Sequence, residues 1–126
     1  EAAALAEAAA PAADEAAVAF DRALGESVYS SYCSSCHQPD GMGMPGVFPP
    51  MAGDPVVLAE DPSEHIEIVL NGLQGKPIDG VEYASPMPAF GSQLSDEQIA
   101  AVINFQRTSW GNDAPLVAVE EVEAGR

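Results

Sequence analysis

An all-α architecture, three or more short helices joined by long apolar loops, is what this 126-residue sequence predicts. Two observations carry the expectation. Apolar residues recur at helical spacing in three separate segments, and no segment alternates convincingly as a strand. The two connections between those helices are dense in Gly and Pro yet stay apolar, which suits loops that cover something.

The first helix is predicted over residues 20–32, with Phe20, Leu24, Val28 and Tyr32 at i, i+4 spacing and Gly25 and Tyr29 on the adjacent stripe. It delivers the chain straight to Cys33. Residues 38–55 then hold four Gly, five Pro and three Met, a loop by composition. In "DPSEHIEIVLNGL" a second helix is expected, with Ser63 as N-cap, Glu64 in the first turn and Gly72 at the end. Its inward face would be Ile66, Val69, Leu70 and Leu73. A second Gly/Pro-rich loop, "QGKPIDGVEYASPMPAFGSQ", leads to the clearest helix, "LSDEQIAAVINFQRTSW". There Ser95 and Gln98 form a capping box, and Asp96 and Glu97 suit the positive end of the helix dipole. Ile99, Val102, Ile103 and Gln106 trace one stripe, with Phe105 beside it and Trp110 at the end.

Composition divides the chain into an Ala-rich acidic tether or frayed helix (1–22), a folded unit (23–112) and an acidic tail (113–126). Both cysteines, both histidines, all four methionines and ten of eleven glycines lie in the middle part. About 90 residues struggle to bury enough apolar surface unaided, so a core filler is expected. The net charge of −16 disfavours nucleic acid and anionic lipid as partners and favours steering toward cationic ones. No run of about 20 apolar residues is present to span a membrane, and no basic n-region or apolar h-region opens the sequence.

The chemistry concentrates in "CSSCHQPDGMGMP", which holds both cysteines, Cys33 and Cys36, followed at once by His37. A thioredoxin-like dithiol needs a βαβ setting, and no strands flank this one. Structural zinc needs four ligands, and beyond these three only His65 offers another nitrogen. A disulfide would close a very short loop and leave the histidine incidental. Covalent c-type haem uses every residue: two thiols for thioether bonds to the vinyl groups, and the adjacent imidazole for the iron. It also supplies the missing core.

That reading requires a second axial ligand among Met42, Met44, Met51, Met87 and His65. Met42 and Met44 follow His37 too closely in the chain to wrap round the macrocycle, and Met51 reads as a packing residue. His65 reads as an exposed helix histidine. Met87, 50 residues beyond His37, sits between two prolines in "SPMPAF", where the loop is held extended and stiff. Met87 is the expected ligand.

Together "GESVYSSY", "CSSCH", "PGVFPPMAG", "HIEIVLNGLQGKPI" and "MPAFGSQLSDEQIAAVINFQRTSWGN" resemble a class I (monohaem) c-type cytochrome over residues 25–112. The likeness is to haem domains that serve terminal oxidases, nitrite reductases and quinoprotein dehydrogenases. It implies an all-α fold around one haem c, with first and last helices crossing at right angles. It implies that Gly25 and Tyr29 pack against Phe105, and that the carbonyl of Pro45 receives the N–H of His37. Lys76 and Arg107 are the only basic residues of the middle section, so the lysine ring that many small carriers show around the haem edge is missing.

The function expected is one-electron transfer between respiratory redox proteins, a donor dehydrogenase or quinol-oxidising complex and an acceptor oxidase or reductase, and not catalysis. A haem enzyme or gas sensor would want a distal His/Arg pair, and His65 and Arg107 stand far apart in the sequence. Covalent haem attachment implies the periplasm or the outer face of the cytoplasmic membrane. A monomer is expected, serving as a free carrier or as the haem domain of a larger complex.

Overall fold

In the computed structural model, which describes residues 20–74, 77–78 and 80–126, the first helix begins at a cap. Asp21 accepts from the Leu24 N–H at 3.0 Å, and α1 runs Arg22–Val28. The predicted N-terminal tether or frayed helix lies outside the described residues except for its last three. After α1 the coil widens into a π-helical turn, Tyr29–Cys33, where the Ser34 N–H reaches back five residues to Tyr29. It tightens again into α2, Ser34–His37. The predicted helix therefore continues through both cysteines to the histidine.

A short α3, Pro55–Leu58, interrupts the stretch expected to be loop. Asp54 caps it, accepting from Val56 and Val57, and Pro55 takes the first position, where a missing N–H costs nothing. Next comes α4, Ser63–Asn71. Ser63 is its first residue rather than the expected N-cap: Pro62 holds the cap position without a side-chain bond, and Asp61 before it accepts from both the N–H and the hydroxyl of Ser63. The long α5, Asp96–Arg107, starts with the predicted capping box, Ser95 and Gln98 bonding reciprocally. The last helix, α6, runs Val119–Gly125. Among the described residues there is no strand, only isolated bridges such as Leu73 with Met87.

The main helix pairing is α1 on α5. Gly25 permits it: a Cβ there would overlap the Ala101 carbonyl and come within 2.9 Å of the Phe105 Cβ. Tyr29, Phe105 and Trp110 then stack as a trio with centroids 5.1–5.7 Å apart. Ile99, Val102, Ile103 and Gln106, the predicted stripe, are all buried, as are Ile66, Val69 and Leu70 of α4.

The expectation of an acidic tail over 113–126 is overturned. Val117 and Val122 are fully buried in the main core cluster, and α6 packs on α4 and α5. The acidic residues Asp113, Glu120, Glu121 and Glu123 face water while the valines turn inward. Buried side chains of α5 fasten the segment. Asn104 bonds both the carbonyl and the N–H of Val117, at 2.9 and 2.7 Å. Arg107 donates to the carbonyls of Pro115, Val57 and Ala59.

Candidate functional site

Helical geometry puts residues i, i+3 and i+4 on one face, so Cys33, Cys36 and His37 share a side of the π turn and α2. All three line a cavity of about 360 Å³. Cys33 and Cys36 form no disulfide with each other. Burial pushes the Cys33 thiol up to about 12, with Cys36 adding to the rise. A reactive dithiol is favoured by the opposite shift, toward thiolate at neutral pH. Among the described residues no cluster of three or more His, Cys, Asp or Glu side chains is arranged to hold a metal ion by itself.

His37 is buried, and its Nδ1 lies 2.8 Å from the carbonyl of Pro49. A carbonyl only accepts, so Nδ1 carries the hydrogen and the Nε2 lone pair is left for a metal. This corrects the assignment of Pro45 to that role. The Met44–Phe48 bridge closes a tight loop, with N–H to carbonyl bonds of 2.9 Å in both directions, and leaves Pro45 exposed on its outside. The chain comes back toward His37 only at Pro49. Burial lowers the proton affinity of His37, partly offset by the Pro49 bond. Burial thus favours the neutral ring, the form that can ligate a metal.

Met87 lines the same cavity. Its backbone is held by more than the two flanking prolines. Leu73 and Met87 exchange hydrogen bonds at 3.0 and 2.8 Å, and Phe90 and Gly91 donate to the end of α4. Gly72 lets the two segments approach: its φ is +83°, and a Cβ would stand 2.6 Å from the Met87 carbonyl. Met51 also borders the cavity and packs on the core cluster. Met42 and Met44 are 59% and 45% exposed and take no part in the wall.

His65 departs from expectation: it is buried rather than exposed, and it borders the cavity. Its Nε2 meets Gln106 Oε1 at 2.6 Å, while Nδ1 has no partner. Arg107, distant in sequence, lies close enough to act on it electrostatically, but the Arg107 guanidinium is committed to three carbonyls. The pair does not form a distal His/Arg site.

Several residues that hold the loop over the site were not anticipated. Asn112 accepts from the Gly53 N–H and donates to the carbonyls of Met51 and Gln106. Trp110 Nε1 donates to Pro39, and the Tyr29 hydroxyl donates to the Gln38 carbonyl at 2.6 Å. Gln106 did leave a signal, a polar residue on an otherwise apolar stripe. Pro49 left none.

Two thiols one helical turn apart, an imidazole with its outer nitrogen tied down and a thioether on the same mostly apolar cavity are a donor set that fits covalent haem. Comparison with known proteins points the same way. Residues 21–105 match the family model for the cytochrome c oxidase cbb3-type subunit III. The cytochrome c subunit of the quinone-dependent alcohol dehydrogenase of Gluconacetobacter polyoxogenes is 43% identical over 91 residues, 72% of this chain and 19% of that protein. The gluconate 2-dehydrogenase cytochrome c subunit of Pantoea cypripedii is 43% identical over 95 residues, 75% of this chain and 22% of that one. Cytochrome c-552 of Thermus thermophilus is 41% identical over 99 residues, 75% of this chain and 66% of that protein. The chain therefore spans about a fifth of the length of the two dehydrogenase subunits.

Proposed function

The chain belongs to the c-type cytochromes, electron carriers with covalently bound haem c, and we propose that Cys33 and Cys36 anchor that haem while His37 and Met87 are its axial ligands. The observation that carries this is the single cavity bordered by all four side chains. When bound, the haem supplies a one-electron ferric/ferrous couple. His37 would hold the iron through Nε2, with Pro49 fixing the ring and raising its basicity. Met87 would offer its sulfur from a backbone clamped to the end of α4. With both axial positions taken by protein, iron is closed to substrate, which suits electron transfer rather than catalysis. Methionine ligation together with the apolar wall favours a high potential.

The exposed apolar rim is the proposed contact for redox partners. Ala84 and Ser85 donate to the carbonyls of Gly46 and Val47, so the two Gly/Pro-rich loops join into one surface. Met42, Met44 and Val81 are exposed along these loops. The charge of −16 would orient a basic docking face. The partners proposed are a dehydrogenase or quinol-oxidising complex as donor and a respiratory oxidase or reductase as acceptor. The dehydrogenase-subunit relatives support the first of these. No helix among the described residues is long and apolar enough to cross a membrane. Covalent haem attachment favours the periplasm or the outer membrane face as the site of action, and the expected state is a monomer.

Absorption spectra of the oxidised and reduced protein test the ligand assignment. The expected result is a low-spin c-type spectrum with the weak red charge-transfer band of methionine-ligated ferric haem, lost in Met87→Ala together with a gain of carbon monoxide binding. A Met87→Ala protein that keeps the red band overturns the assignment.

A further inference from the structure

His65 and Gln106 are a hydrogen-bonded polar pair in a cavity wall that mixes apolar residues such as Val57, Val69 and Val102 with other polar ones, Asp54 and Gln93 among them. Both are buried, they come from different helices, and the Nε2–Oε1 distance of 2.6 Å joins them. His65 Nδ1 is the one buried side-chain nitrogen or oxygen without a hydrogen-bond partner among the described residues. Such an atom is a cost to stability, and two apolar residues of similar shape would avoid it. Burial, the dominant cause, together with nearby Arg107 and His37, also keeps the ring uncharged at neutral pH. A neutral imidazole bonded through Nε2–H to an amide oxygen is a fixed dipole, not a charge.

We propose that the His65–Gln106 pair tunes the reduction potential of the haem held in this cavity, lowering it below the value that an apolar pair at these two positions would give. The inference rests on the function proposed above. The ferric centre carries one more positive charge than the ferrous centre, so polar wall groups favour it and apolar ones favour the ferrous form. Sequence position hides the device: the two residues are 41 apart and only the packing of α4 against α5 brings them together. His65 and Gln106 are positioning residues, acting on the iron through the local field rather than by ligation.

Midpoint potentials of the holoprotein and of His65→Leu, Gln106→Leu and the double variant test this, with absorption spectra recorded on each. The double variant should shift the ferric/ferrous equilibrium about tenfold toward ferrous, some 59 mV for a one-electron couple. The single effects should not add, since either change breaks the same pair. His65→Gln, which retains a hydrogen-bonding partner for Gln106, should stay closer to the parent. If a leucine variant fails to fold, Gln106→Met, of nearly the same length, carries the test. Normal spectra with unchanged, lowered or additive potentials overturn this inference and leave the proposed function standing. A parent protein without covalent haem overturns the proposed function itself.

Discussion

Replacing Asn104 by alanine should unravel the attachment of the last 14 residues to the haem domain. Asn104 is 1% exposed, and its amide bonds both backbone groups of Val117, itself fully buried. Alanine leaves a buried N–H and a buried carbonyl without these partners, at about 1–3 kcal/mol each. The expected loss is about 2–5 kcal/mol, a large share of the total stability of a small domain. At roughly 4–8 °C per kcal/mol for a domain near this size, the melting temperature should fall by at least about 8 °C. Guanidinium and thermal unfolding of the holoprotein measure it, and hydrogen exchange at the Val117 amide reports whether the loss is local. Leu116→Ala, in the same segment but 38% exposed, is the control and should cost less than half as much. An Asn104→Ala protein within about 0.5 kcal/mol of the parent refutes the reasoning, because surface substitutions already scatter that far.

Other outcomes follow from the same geometry. Gly25→Ala should destabilise by about 1–3 kcal/mol despite the better helix propensity of alanine, since the added methyl meets the Ala101 carbonyl; chemical denaturation checks it. Gly72→Ala should push the Met87 backbone away and weaken the red methionine band before much stability is lost, as read by absorption. Burial lowers the His65 pKa from 6.5 to about 4. The unfolded chain therefore binds a proton that the folded one refuses. The stability contributed is complete above about pH 6.5 and is lost as pH falls toward 4, about 3 kcal/mol in all. Denaturation at two pH values should show a shallower acid slope for His65→Leu than for the parent. Electron transfer with a cationic redox protein should slow as salt is added, and a rate indifferent to ionic strength speaks against charge steering.

Local pattern made much of this molecule legible. The Cys33–Cys36–His37 spacing, the capping box at Ser95 and the apolar stripes of α4 and α5 are properties of neighbouring residues, so sequence periodicity reports them directly. The same holds for Met87 between its prolines, which sequence placed on a stiff loop and the fold brings to the cavity that His37 lines. Residues 113–126 misled because four acids among small apolar residues read as a tail, while burial follows the few apolar side chains, Val117 and Val122 above all, that turn inward.

What needed the tertiary structure shares one physical cause: partners distant in sequence, chosen by where the loops return. Pro49 rather than Pro45 receives His37 because the 44–48 loop closes on itself first. Asn104 finds Val117, Arg107 finds Val57 and Ala59, and His65 meets Gln106 only because helices pack across long separations. Sequence by itself determined the cofactor chemistry and the helices that carry it, since those depend on spacing within a turn or two. The packed fold alone decided which carbonyl orients His37 and which polar groups face the cavity, since buried polar groups take whatever partner the closed chain brings within reach.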